Sequence, residues 1–292
     1  MNEIIKVVES KEQQEKAKII LHFFRHDEKE SDKTKSDTEI RLTEKGRLHS
    51  KGLSRKETDM SQAMAFGSPR KRAQETAGLI MAGAQDEITG TETLEELKTK
   101  LNKDLKYGSK LHTDSRFDFE LPPKGIYHDE VMLAFKESRF MKYLVEESDK
   151  RTEETGSEKD VINYSNLASQ VAEIIEKYFK IMPRWKNLVK DEKKNYKSVM
   201  ERFMVTHLSV QEAFLAKIIE LTKGKSERDA FVSALNNQGF DYAEGFDVEI
   251  VADDNGEGKI HITYKKEKEG KIVFEFDEIV PVGMIENIIM KK

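Results

Sequence analysis

Three places in this chain set an arginine or a histidine just behind a short apolar run and just ahead of a helix start. They are Arg25-His26 after Lys18-Ile19-Ile20-Leu21-His22-Phe23-Phe24, Arg72 after Ala63-Met64-Ala65-Phe66, and His207 after Arg202-Phe203-Met204-Val205-Thr206. Short continuous apolar runs of this kind read as buried strands of an α/β sheet. Ligands of such sheets bind beyond the carboxyl ends of the strands, and the unpaired N–H groups of a helix start favour an anion. Two arginines and two imidazoles drawn to one point would repel each other. A phosphate relieves that repulsion through charge-assisted, partly bidentate hydrogen bonds.

The elements that must position these groups can be read around them. Lys29 to Glu39 is polar and reads as a loop, and Leu42-Thr43-Glu44-Lys45-Gly46-Arg47 opens a helix with Thr43 as N-cap. The second run ends at Gly67-Ser68-Pro69, and Arg70 to Ala82 follows as a helix with Ser68 as cap and Pro69 in its first turn. Residues from about 99 to 156 are irregular, with Pro122-Pro123-Lys124-Gly125 and a charged run from Glu146 to Glu158. Val161 to Phe179 is strongly amphipathic at helical spacing. A further helix spans about Ser209 to Leu221. Beyond it, Val248–Val251, Ile260–Tyr264 and Ile272–Phe276 alternate like antiparallel strands, with an Asp254-Asn255-Gly256 turn between the first two. There are no internal repeats.

The expected fold is therefore α/β, a three-layer α/β/α sandwich around a mainly parallel central sheet, with a middle insertion and a C-terminal β extension. Residues 1–292 are expected to form one domain. Its core covers about 18–98 and 160–225, the insertion about 99–159 and the extension about 240–292.

Composition narrows the function classes. The 292 residues carry 50 basic and 55 acidic side chains, a net charge of −5, which argues against a general nucleic-acid binder. There is no cysteine, so disulfides, thiolate catalysis and cysteine-bound zinc are excluded. His22, His49, His112, His128 and His261 lack metal-ligand spacing, and neither a metal nor another cofactor is expected. No stretch approaches the roughly 18 to 20 apolar residues of a spanning helix, and the N-terminus lacks the apolar core of a secretory signal. A soluble cytoplasmic protein without membrane contact is expected, its oligomeric state left open.

Four segments resemble the motifs of one family. Arg25-His26-Asp27-Glu28 resembles the Arg-His-Gly signature of the histidine phosphatase superfamily, the phosphoglycerate-mutase-like proteins, branch 1. Leu42-Thr43-Glu44-Lys45-Gly46-Arg47 is similar to its Leu-Thr-x-x-Gly-Arg segment, and Ser68 to Ala77 to its Ser-Pro-x-x-Arg-Ala-x-x-Thr-Ala element. Val205-Thr206-His207 resembles its second histidine block. The motifs cover about residues 18–84 and 200–222.

The resemblance implies roles. His26 would attack phosphorus and form a phosphohistidine, while Arg25, Arg72 and His207 would hold the phosphoryl oxygens. A carboxylic acid would protonate the leaving oxygen. Leu94-Glu95-Glu96 fits the Leu-x-Glu spacing of one branch, which makes Glu96 the first choice and Glu95 its substitute. Leu208 stands where the other branch has an Asp. The signature glycine is replaced by Asp27, a carboxylate beside the expected phosphate. The leading expectation is metal-independent phosphatase activity on a small phosphoester or a phosphoprotein. A phosphoglycerate-type mutase and a non-catalytic phospho-ligand or partner-binding protein on the same fold are the alternatives.

Overall fold

The computed structural model describes residues 17–118, 121, 124–155, 163–252 and 258–289. The N-terminal stretch, Pro122-Pro123 and the Asp254-Asn255-Gly256 turn lie outside them.

The buried run after Ala17 is β1 (Lys18–Arg25). It lies in the middle of a seven-stranded sheet of order β3-β2-β4-β1-β5-β6-β7. Four strands are parallel: β3 (Leu111–Thr113), β2 (Met64–Gly67), β4 (Val199–Thr206) and β1. β5 (Gly245–Ala252), β6 (Gly258–Lys268) and β7 (Lys271–Val280) continue the sheet antiparallel from the free edge of β1. The parallel strands are helix-covered on both faces, which is why they read as continuous apolar runs rather than alternating ones.

One apolar cluster joins Ile19, Leu21, Phe23 and Met204 to α7 (Tyr164–Lys190), α8 (Val210–Lys223) and α10 (Val282–Ile289). On the opposite face Ala65, Phe203 and Val205 meet α2 (Lys71–Ala82) and α3 (Leu94–Asn102). The three layers are thus α/β/α. Val131 and Ala134 of α4 (Ile126–Lys136) and Phe140, Met141 and Leu144 of α5 (Phe140–Glu146) are fully buried in the first cluster, so this middle stretch shares the main core. A short α6 (Ser148–Thr155) follows it, and α9 (Lys225–Ala234) links α8 to the C-terminal strands.

Besides the helices within the stretch expected to be irregular, the structure departs from the sequence expectation in three further places. β3 is a genuine edge strand, but at three residues it is too short to show a period. α7 continues to Lys190 through Pro183 and buries Trp185, whose indole N–H donates to the Ser198 carbonyl at 3.3 Å. The helix after β2 starts at Lys71 with Arg70 as N-cap, and Ser68 is released for another partner.

Register sets the site. Arg25 pairs with Thr206, and Gly67 pairs with both Val205 and Thr113, so the carboxyl ends of all four parallel strands are level. The α1 helix (Glu44–Gly52) begins at Thr43, whose hydroxyl accepts from the Gly46 N–H at 3.0 Å. Gly46 is required here: a Cβ would stand 2.5 Å from the Glu28 carbonyl oxygen, so only glycine lets α1 lie against the backbone just past His26. Gly67 likewise lets β2 meet the backbone of Gln74.

A charged group is buried away from this edge. His22, 1% exposed on β1, bonds Asp247 through Nδ1 at 2.7 Å and Glu201 through Nε2 at 3.3 Å. Burial alone would lower its pKa, but the hydrogen bonds and charges of Asp247 and Glu201 prevail and leave it raised above 6.5. A raised folded-state value means the stabilisation is complete below about pH 6.5 and is lost as pH climbs through the folded value. Urea unfolding of the protein and of His22→Gln from pH 5.5 to 8.5 should therefore show a stability gap that narrows with rising pH. A gap constant across that range would rule out this contribution.

Candidate active site

His26 follows β1 directly and is 6% exposed. Its backbone N–H donates to the Thr206 carbonyl at 2.9 Å, tying the turn to β4. Its Nδ1 lies 2.7 Å from the Asp27 carbonyl oxygen. A carbonyl can only accept, so Nδ1 carries the proton and Nε2 keeps its lone pair. Arg72 Nε–H points at that lone pair from 3.4 Å. Burial, then the charges of Arg72, Arg25 and Lys29, push the His26 pKa well below 6.5, so the ring is neutral.

His207 follows β4, with its ring centroid 5.0 Å from that of His26. Its Nε2 lies 2.6 Å from the Ser68 hydroxyl, whose oxygen accepts the Arg70 N–H at 3.2 Å and whose proton is free to be donated to Nε2. Its buried Nδ1 has no hydrogen-bond partner among the described residues. Burial, His26 and Arg72 lower its pKa too. The repulsion expected among two imidazoles and two arginines is thus reduced, because both imidazoles are neutral.

Arg72 is 4% exposed on the first turn of α2. Burial and the neighbouring Arg70 push its pKa down to about 10. Its Nη1 donates to the Asp37 carbonyl at 2.6 Å and its Nη2 to the Asp37 carboxylate at 2.9 Å. Arg25 donates from Nη1 to the Phe240 carbonyl and lies over the Tyr242 ring, 4.9 Å from the centroid. Its Nε is buried and unpartnered among the described residues. The half-exposed Tyr242 ring is also 6.3 Å from His26.

The Phe240 loop is held by Glu212, a fully buried residue in the first turn of α8. It accepts from the Phe240 N–H and from the Ser209 N–H, each at 2.9 Å. Burial pushes its pKa up to about 7. Ser209 itself sits at φ +88°, a left-handed conformation forced on the turn that delivers His207.

Asp27, the departure from the expected glycine, does not turn its charge on the site. Its carboxylate accepts from the Glu28 N–H at 2.7 Å, His49 Nδ1 at 2.7 Å and the Ser50 hydroxyl at 2.9 Å. It ties α1 to the loop of His26, and its own N–H donates to the Thr76 hydroxyl at 3.1 Å. Asp27→Ala leaves buried donors unmatched and should destabilise the fold by about 2 kcal/mol. Denaturant melts would show this, and an unchanged midpoint would refute the tether.

Glu96, the expected proton donor, is engaged at the start of its own helix. It is exposed on the first turn of α3, where it closes a capping box with Thr93 and accepts that residue's N–H at 2.7 Å and hydroxyl at 2.9 Å. Those bonds, from the Thr93 N–H first, lower its pKa. Glu95, the substitute, is exposed and pairs with Lys98. The carboxylates that do reach the site are Asp37 and Asp118, neither singled out from sequence. Asp118 ends the short turn after β3, where the Thr206 hydroxyl donates to the Phe117 carbonyl at 2.8 Å. One of its oxygens is 2.6 Å from Arg70 Nε and 3.6 Å from His207 Nε2. Strand ends are where ligand-binding groups collect, so a recognised β3 would have drawn attention to it.

Among the described residues no group of three or more His, Asp or Glu is arranged to hold a metal ion, and no helix is long and apolar enough to cross a membrane.

Residues 21–108 match the model of the histidine phosphatase superfamily (branch 1). No curated protein matches the chain. Among solved structures it is similar to a mycobacterial glucosyl-3-phosphoglycerate phosphatase, at 12% identity and TM-score 0.44, over 80% of this chain and 90% of that one. It is also similar to a phosphoserine phosphatase mutant of Entamoeba histolytica in complex with phosphoserine, at 13% identity and TM-score 0.38, over 91% and 98% of the two chains.

Proposed function

We propose, from the match of residues 21–108 to the histidine phosphatase superfamily (branch 1), that the chain hydrolyses phosphomonoesters through a phosphohistidine on His26, without a metal ion. The observation that carries this reading is the contact of His26 Nδ1 with the Asp27 carbonyl, which assigns the tautomer. With Nδ1–H spent on the Asp27 carbonyl, a neutral Nε2 lone pair stands 3.4 Å from a buried arginine donor and beside a second neutral histidine.

In this reading Nε2 attacks phosphorus, the P–O ester bond breaks, and the leaving alkoxide takes a proton from a carboxyl group. Water then attacks the phosphohistidine and gives a proton to the carboxylate, the P–N bond breaks, and orthophosphate, the imidazole and the carboxyl group are restored. Arg25 Nε, Arg72 Nε and His207 Nδ1 are the groups that would receive the phosphoryl oxygens. Among the described residues two of these atoms are buried without partners, as suits a site built for a ligand. Asp118, rather than Glu96, is the proton donor that the geometry favours.

The test is release of orthophosphate from an aryl phosphate and from a panel of alkyl phosphates, with chelator present. Transfer to an added alcohol in place of water would identify a mutase instead. Binding without any turnover would leave the non-catalytic alternative.

A further inference from the structure

Asp37 lies in the polar loop between β1 and α1 and meets three cations. Its carboxylate accepts from Arg72 Nη2 at 2.9 Å and Lys29 Nζ at 3.3 Å, and it pairs with Arg70 Nη1. Its backbone carbonyl accepts from Arg72 Nη1 at 2.6 Å. The loop is anchored independently of this carboxylate: the Lys71 N–H donates to the Thr38 carbonyl at 3.0 Å, and the Glu39 N–H donates to the Ser36 carbonyl at 2.9 Å.

A guanidinium is flat and presents its N–H donors as separate forks. The end fork of Arg72, one N–H from each Nη, is taken by the two Asp37 oxygens. The side fork, Nε–H with the second N–H of Nη2, is the one beside His26 Nε2. Asp37 thereby fixes the rotation of the guanidinium and leaves the fork that faces the nucleophile for a phosphoryl group. We propose that Asp37 is a positioning residue for phosphate capture, acting through Arg72. The proposal rests on the reading of Arg72 as a phosphate-holding group, and it goes beyond that reading by making a loop carboxylate part of an anion site.

The opposite reading is that Asp37 occupies the clamp and must be displaced, and the two differ in sign. Orthophosphate binding, measured by calorimetry, should weaken about 10-fold or more in Asp37→Ala. Asp37→Asn retains an oxygen that can accept from Nη2 and should recover part of the loss. In an Arg72→Lys background, whose ammonium has no end fork, Asp37→Ala should change affinity by less than about twofold. Unchanged or tighter binding in Asp37→Ala overturns the proposal and makes Asp37 a blocking group. An equal loss in both backgrounds also overturns it, since that is a general loop effect. If the unaltered protein binds orthophosphate but hydrolyses no ester, the hydrolytic reading falls and this one stands. If it binds none, both fall.

Discussion

His26→Ala is expected to remove phosphate release almost entirely, with kcat/KM falling by at least about 10³-fold. The size follows from the route. Without the imidazole the displacement must be made by water in one step, and the division into two easier steps is lost. The substitution should leave the fold in place, because the hydrogen bonds tying the turn to β4 and to Thr76 come from the backbone of His26 and Asp27, and the imidazole bonds only the Asp27 carbonyl and, at 3.4 Å, Arg72 Nε. Orthophosphate affinity should change far less than turnover, since Arg25, Arg72 and His207 remain. A pulse of labelled substrate should leave an acid-labile, alkali-stable label on the unaltered protein and none on the variant. Turnover surviving in His26→Ala would remove the covalent route from consideration.

Much of this site could be read from residues alone, for a definite physical reason. Where a strand is buried on both faces its sequence is a continuous apolar run, and a charged residue at its end falls on the sheet edge where ligands of such folds bind. Arg25-His26 and His207 are such cases, and the level register of Arg25, Gly67 and Thr206 is what turns neighbouring strand ends into neighbouring side chains. Arg72 lay one element further on and came from the Ser-Pro-x-x-Arg-Ala pattern. What remained hidden was set by tertiary contact. Asp27 looked like a charge against the phosphate until α1 brought His49 and Ser50 to it. Tyr242 and Phe240 lie more than two hundred residues from Arg25, and no local pattern announces that they meet it.

The search for an acid shows how a local rule can be outbid by a motif. Thr93-Leu94-Glu95-Glu96 satisfies a Leu-x-Glu spacing, but it also satisfies the Ser/Thr-x-x-Glu capping box that opens a helix. The structure uses it as the box. β3, three residues long, gave no periodicity, so the carboxylate just past its end went unassigned.

That carboxylate carries the second large effect. Asp118→Asn keeps the size of the side chain and an oxygen able to accept from Arg70 Nε, so the fold and phosphate affinity should be nearly unchanged. Removing a proton donor costs typically 10²- to 10⁴-fold when the leaving group is a poor one. Hydrolysis of alkyl phosphates should therefore fall by about 10²-fold or more. An aryl phosphate, whose leaving oxygen departs readily as the anion, should lose far less in the phosphorylation step. The difference between the two substrates is the diagnostic quantity, because a variant damaged in folding or in phosphate binding would lose both alike. Glu96→Gln serves as the control and should keep kcat/KM within about a factor of two on either substrate, since Glu96 bonds the backbone and hydroxyl of Thr93 on the exposed first turn of α3. Equal losses on alkyl and aryl phosphates in Asp118→Asn, or a large loss in Glu96→Gln, would return the search for the proton donor to its start.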